Sequence, residues 1–141
     1  SDVYKRQSIQ SMNYDEASKR FNLIGLDEPG EEFWNTVSGN LNNFIETKIW
    51  WQVVFGEIDP LIDNQDLIGV ASDTFPSESL DNETWSTWCK KISSQSEFKG
   101  KELFITLRKA ITGYEYGPEL SKLLPLIGKE KILSRLSGNK S

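Results

Sequence analysis

The chain has 141 residues, of which 37% are hydrophobic, 26% are charged and 11% are aromatic, and its formal net charge is −5. This composition supports one or two small globular domains and argues against an intrinsically disordered chain. Histidine is absent and Cys89 is the only cysteine, which excludes Ser-His-Asp and Cys-His catalytic machinery, a closed Cys/His zinc site and an intrachain disulfide.

No apolar run approaches the length of about 20 residues that a membrane span needs, and the first residues lack the apolar stretch of a signal peptide. We therefore expect a soluble, cytoplasmic and non-catalytic domain without a membrane partner, a metal or a cofactor of its own.

The net charge is unevenly distributed. Residues 1–88 contain 5 Lys and Arg against 16 Asp and Glu, a balance of −11, whereas residues 89–141 contain 11 against 5, a balance of +6. A chain divided in this way can present a basic surface to phosphate while staying acidic overall. The alternative is a solvated surface with uneven charge, and composition alone does not decide between them.

Residues 1–12 show no helical periodicity and are expected to be an expression-vector remnant or a linker, the first seven residues above all. Helix signals follow, with Asn13 as a first cap and Gly25 and Gly113 as terminators. The segment 56–80 is acidic and interrupted by Gly and Pro, which places a domain boundary within it. The spacing of apolar residues predicts helices over 14–24, 33–45, 64–71, 82–95, 100–112, 118–127 and 130–136. The dense apolar run 49–55 fits a buried strand or a short buried helix, and the helical neighbours favour the helix.

These elements predict an all-α fold of two small helical bundles, the first over residues 13–78 and the second over 79–141. Gly117-Pro118 restarts the chain as a helix, with the proline at its first helical position. The five tryptophans are interpreted as core residues rather than as platforms for nucleic-acid bases, and Trp85 and Trp88 are both expected to be buried.

One segment carries a more specific signal than helical periodicity does. Residues 100–136 run GKELFITLRKAITGYEYGPELSKLLPLIGKEKILSRL. This segment resembles the C-terminal signature of bacterial-type glutamyl-tRNA synthetases, which pairs a Leu-Arg-x-Ala-x-Thr-Gly run with Gly-Pro-Glu-Leu and Gly-Lys-Glu. The segments EEFWNTVSGNLNNFIETKIWWQVVFG and DNETWSTWCKKI also resemble this family, especially its alphaproteobacterial members, so the resemblance spans roughly residues 13–136. The chain departs from the family at Thr106, where a proline is usual.

The resemblance implies the anticodon-binding region of an aminoacyl-tRNA synthetase, a ligase that uses ATP and Mg²⁺ in its full-length form. The catalytic signatures of the family, of the His-Ile-Gly-His and Lys-Met-Ser-Lys-Ser types, are absent from these 141 residues. The chain by itself is therefore not expected to activate glutamate. The implied partner is tRNA(Glu), and the chain is expected to be a monomer.

Within the motif, the resemblance places Arg108 at the anticodon site. The implied bend at the start of the next helix brings Gly117, Pro118 and Leu120 to the same loop, where free main-chain N–H groups can meet phosphate or base acceptors. Glu119 would repel phosphate and is interpreted as a partner of the helix dipole. Candidate phosphate contacts are Lys101, Lys109, Lys122 and Lys129.

Asn40 lies near the position where some members of the family use an arginine to recognise the last anticodon base, with Ser38 or Asn42 as alternative equivalents. A short neutral amide there implies weak exclusion of tRNA(Gln). The competing interpretation of the whole chain is a helical protein-interaction module without an RNA role, which the negative net charge favours and the 100–136 motif does not.

Overall fold

The computed structural model describes residues 2–141, with side chains from Tyr4 onward, and these residues form nine α-helices and three short 3₁₀ helices without a strand. The predicted all-α fold is confirmed. The chain divides into two compact units, Ser1–Gly56 and Glu57–Ser141. The α-helices are α1 (Asp2–Ser11), α2 (Tyr14–Ser18), α3 (Glu31–Val37), α4 (Thr47–Phe55), α5 (Gln65–Asp73), α6 (Thr84–Gln95), α7 (Gly100–Thr112), α8 (Leu120–Ile127) and α9 (Lys129–Leu136).

The division after Gly56 replaces the boundary predicted between residues 78 and 79. The acidic segment 57–80 is not a connection between bundles, because its helix α5 packs against α6, α7 and α9. Leu67, Ile68 and Ala71 of α5 are buried there. Gly69 lies inside α5 and does not interrupt it.

Residues 2–11 form helix α1, which corrects the expectation that residues 1–12 lie outside the fold. Ile9 and Met12 are buried. The Gln10 side-chain amide donates a hydrogen bond of 3.1 Å to the Gly39 carbonyl, and the Trp34 indole N–H donates one of 2.8 Å to the Met12 carbonyl. Two apolar anchors and two hydrogen bonds therefore attach this segment to the first unit.

The single helix predicted over residues 33–45 is wrong, because α3 ends at Val37 and Leu41 is extended, with φ −91° and ψ 137°. Asn43 starts a new 3₁₀ helix, Phe44–Glu46, through a reciprocal cap in which its side chain accepts from the Glu46 N–H. Polar residues that bond to nearby main chain favour caps over helix interiors, and this preference outweighs the apolar periodicity here.

An aromatic cluster forms the centre of the first unit. The ring of Phe21 lies 5.8 Å from that of Trp34 and 5.4 Å from that of Phe44, and Phe21 and Trp34 are fully buried. The hydroxyl of Thr47, at the start of α4, is buried without a hydrogen-bond partner. Thr47 is the first residue of α4, which Glu46 precedes as the cap.

The second unit has a core of mainly aliphatic side chains from five helices of 8 to 13 residues. Leu103, Leu107 and Ile111 bury one face of α7, which ends at Gly113 with φ 84°, as the glycine predicted. Arg135 of α9 is also fully buried, and it donates to the main-chain oxygens of Ile111 at 2.8 Å and Ser141 at 2.9 Å. The main chains of residues 58 and 141 are hydrogen-bonded in both directions, at 2.9 and 3.2 Å.

Candidate anticodon-loop pocket

The outer face of α7 and the first turn of α8 enclose an open pocket of about 310 Å³. Phe104 and Arg108 are spaced i and i+4, so they share one face of α7, which is about 100° around the helix from the face of the buried leucines. Leu120 begins α8, and its side chain is only 3% exposed. The lining residues are Trp85, Phe104, Ile105, Arg108, Glu119, Leu120 and Ser121.

Arg108 is the only cation that lines this pocket. One of its terminal nitrogens donates a hydrogen bond of 2.8 Å to the Pro118 carbonyl. Burial lowers the pKa of the guanidinium from its ordinary value, because a desolvated cation is less favourable. Among the side chains that the structure describes, from Tyr4 onward, no Asp or Glu carboxylate lies within 4.0 Å of the Arg108 guanidinium. A guanidinium has five N–H donors, so Arg108 retains donors for a ligand without an internal countercharge to compete.

The Gly117–Leu120 bend lies beside Arg108, as the Arg108–Pro118 hydrogen bond requires. Pro118 is buried, however, and the helix begins two residues later, at Leu120. The predicted placement of the proline in the first helical position is therefore wrong. The Glu119 carbonyl accepts the N–H groups of Lys122 and Leu123 at 3.1 and 3.0 Å, so these two donors are used within the helix.

The four candidate lysines differ in their availability. Lys109 forms ion pairs with Asp63 and, at 3.7 Å, with Glu115, and its pKa is raised first of all by the hydrogen bond to Asp63. Lys122 lies 3.6 Å from Glu119 in an exposed pair. The remaining two are Lys129, which donates to the Ser77 carbonyl at 2.8 Å, and Lys101, which is exposed on the first turn of α7.

Asn40 belongs to the first unit, and Arg108 to the second. Asn40 is exposed in the 3₁₀ helix Ser38–Asn40, whose Gly39 carbonyl is bonded to Gln10. Its side chain is thus on a solvent-facing turn whose main chain is held by α1.

The pocket also contains two aromatic residues, and one of them, Trp85, is among the tryptophans that the sequence interpretation assigned to the core. Trp85 is half-buried, whereas Trp88 is fully buried as predicted. Phe104 of α7 is 46% exposed. The adjacent Leu103 already occupies the core face, and two consecutive helical residues point in directions about 100° apart, which is a local signal for the exposure of Phe104.

The charge asymmetry between residues 1–88 and 89–141 does not follow the two units. Residues 1–56 contain 5 Lys and Arg against 8 Asp and Glu, a balance of −3, and residues 57–141 contain 11 against 13, a balance of −2. Any attraction for phosphate therefore depends on local positions such as Arg108 and not on the net charge of a unit.

In the part of the chain described, no group of three or more Asp, Glu or Cys residues could hold a metal ion. None of the helices there has the length and hydropathy of a membrane span.

Comparison with known proteins assigns the family. A family model described as "Anticodon binding domain" matches residues 65–139. A glutamate–tRNA ligase 1 from Parvibaculum lavamentivorans is 42% identical over 130 residues, 92% of this chain and 29% of the relative. A glutamate–tRNA ligase 2 from Ehrlichia canis is 38% identical over 131 residues, again 92% of this chain and 29% of the relative. The chain thus spans less than a third of the length of these relatives.

A solved structure of a glutamate tRNA ligase from Elizabethkingia meningosepticum, in complex with its amino acid, has a TM-score of 0.76 at 15% identity. The match covers 96% of this chain and 30% of that protein, and at this identity it supports the fold alone. The resemblance predicted from the 100–136 motif is confirmed by the curated relatives. Because the family model covers more than half of its length, the chain belongs to the anticodon-binding domain family.

Proposed function

We propose that this chain binds the anticodon loop of tRNA(Glu) at the Arg108 pocket, as the anticodon-binding part of a glutamate–tRNA ligase. The observation that carries the proposal is the half-buried Arg108 guanidinium, which lies beside the Pro118–Leu120 turn without a carboxylate partner. Such a cation is well suited to hold a phosphate or the acceptor edge of an unpaired base. Function in translation implies a cytoplasmic location, and we expect a monomer.

The contribution of the chain is selective binding and not chemistry. In the full-length enzyme, ATP and Mg²⁺ would act in a catalytic part that these residues do not include. Unpaired RNA bases are recognised by hydrogen bonds to their edges and by stacking, while cationic side chains at the backbone provide affinity and its salt dependence. Arg108 would supply the first kind of contact. Lys101, Lys122 and Lys129 are candidates for the second, and Lys109 is the least available because of its two ion pairs.

The test is a salt titration of tRNA(Glu) binding to the 141-residue chain. We expect the affinity to fall steeply with rising salt, and Arg108→Gln to weaken binding by about 1–3 kcal/mol, the usual contribution of a charge-assisted contact. Lys19→Gln is the matched control, since it removes the same charge from an exposed residue outside the pocket. Absence of binding at low salt would contradict the proposal and favour a protein-interaction module.

The exposed Asn40 supports a finer part of the proposal, namely that the parent enzyme charges tRNA(Gln) as well as tRNA(Glu). An asparagine amide both donates and accepts, so it tolerates either base edge better than an arginine does. The measurement is glutamate transfer by the full-length enzyme to both purified tRNAs, with Asn40→Arg as the comparison. A preference for tRNA(Glu) above about a hundredfold, roughly 2.7 kcal/mol, would contradict this part alone.

A further inference from the structure

A series of aromatic rings extends from the core of the second unit to the pocket. Phe75 lies edge-on to Trp88, with ring centroids 4.9 Å apart. Trp88 lies 6.1 Å from Trp85, and Trp85 lies 6.1 Å from Phe104. The indole N–H of Trp88 donates to the Ala71 carbonyl at 2.9 Å, which fixes the buried end of the series. Trp85 is therefore held from behind by a fixed ring.

The outer end of this series is accessible. Trp85 is half-buried and Phe104 is 46% exposed, and both line the same pocket as Arg108. The two side chains therefore present aromatic surface on the pocket wall, which a stacked ring would cover. Rings fixed before binding also lose little conformational entropy when a ligand stacks on them.

The polar groups of the pocket favour a neutral ring over a phosphate as the occupant. Arg108 offers donors on one side, but Glu119 places a carboxylate on the same lining. A carboxylate repels phosphate and accepts from ring amino groups. A flat ring with donors and acceptors on its edge can bond to both Arg108 and Glu119. Its face can at the same time lie against the aromatic rings of the pocket.

Resting on the proposed function, we infer that Trp85 and Phe104 form the stacking wall for one unpaired nucleobase of the bound RNA loop, whose edge meets Arg108. The wall provides affinity that tolerates different bases, because every base has a flat face. Arg108 and Glu119 provide the part of the affinity that depends on which base is bound, because they contact the edge of the base.

The experiment uses the 141-residue chain and an RNA stem–loop with the anticodon-arm sequence of tRNA(Glu). Trp85→Leu and Phe104→Leu remove one ring each, and we expect each to weaken binding by about tenfold. Trp85→Phe keeps an aromatic ring and should restore most of the affinity. Trp51→Leu is the control, since Trp51 is also half-buried but belongs to the first unit, where its ring lies 5.5 Å from that of Phe55.

A second measurement identifies the stacked base. Each of a set of stem–loops has one abasic nucleotide, placed at a different anticodon position. For one of these RNAs, we expect Trp85→Leu to cause no further loss of binding affinity. Binding of the intact RNA should also quench tryptophan emission in the unchanged chain and not in Trp85→Phe, with the circular dichroism of both proteins equal.

The outcomes separate the two proposals. If the unchanged chain binds no RNA, the proposed function fails and this inference fails with it. If it binds, and Arg108→Gln weakens binding while Trp85→Leu and Phe104→Leu do not, the stacking wall alone is overturned. Because Phe104 is exposed, its variant tests the inference even if Trp85→Leu unfolds.

Discussion

The two units of this chain bury their interiors in different ways. The first unit centres on Phe21, Trp34 and Phe44, contributed by a turn of 3₁₀ helix, a seven-residue α-helix and another short 3₁₀ helix. The second unit packs many aliphatic side chains from helices of 8 to 13 residues, and it holds one arginine inside. These three short elements leave few core positions at the centre of the first unit, and each contributes a large aromatic ring there. The stability of the first unit should therefore depend on fewer residues.

Trp34→Ala tests this dependence most directly. The side chain is 1% exposed and its indole bonds to Met12, so we expect a loss of about 3–5 kcal/mol in the free energy of unfolding. Urea denaturation followed by circular dichroism measures the loss. Trp51→Ala, at a half-buried position of the same unit, should cost much less. Equal losses would mean that the cluster is not the centre of the unit.

Arg135→Met tests the polar part of the second core. Its removal leaves the main-chain oxygens of Ile111 and Ser141 without this donor, and we expect a loss of about 2–4 kcal/mol. Burial lowers the pKa of Arg135 to about 10, so part of the cost is offset by the relief of a desolvated charge. Lys131→Met, on the same helix, is the control. A variant as stable as the unchanged chain would show that the second unit is held by aliphatic packing alone.

Cys89 makes the second unit sensitive to alkali. Burial raises the pKa of its thiol from 9.0 to about 12, so between these values the unfolded chain loses a proton that the folded chain keeps. The stability contribution is complete below pH 9 and should fall by about 1.4 kcal/mol per pH unit above it. Cys89→Val, measured by urea denaturation between pH 8 and 11, should show a shallower fall. Parallel curves for the two proteins would contradict the assignment.

Thr47→Val has the smallest expected effect, and it is a gain. The Thr47 hydroxyl is fully buried and unpaired, so its replacement by a methyl group of similar shape should stabilise the first unit by about 1 kcal/mol. Thr47→Ala, which removes the hydroxyl but leaves a cavity, should not gain stability. A loss in Thr47→Val would mean that the hydroxyl has a partner in solution.

Local patterns predicted the second unit better than the first. The spacing of Leu103, Leu107 and Ile111, ended by Gly113, defines α7 because helix and core share one period. Leu41 keeps that same period after Val37, but the Asn-rich turn beside it breaks the helix. Apolar spacing alone cannot reveal the end of a helix when the next buried residue, as here Leu41, still falls at the helical period.

Features that depend on contacts between residues far apart in the chain cannot be predicted from local sequence patterns. Leu67 and Ile68 join the second unit because helices later in the chain cover them, so the domain boundary was misplaced. Nothing near Arg135 in sequence distinguishes it from the solvated cations of α9. The position of Arg108 beside the Pro118 turn followed from the family resemblance, and the position of Phe104 next to Leu103 is a local signal for its exposure, whereas the exposed side of Trp85 appeared only in three dimensions.

The paired main chains of residues 58 and 141 bring the two ends of the segment 58–141 next to each other. A unit of this kind tolerates a circular permutation, because a short tether can join its two ends where they already meet. New termini could then be opened in the exposed Tyr114–Tyr116 turn. An insertion of the whole unit into a surface loop of another protein would likewise leave the host loop closed.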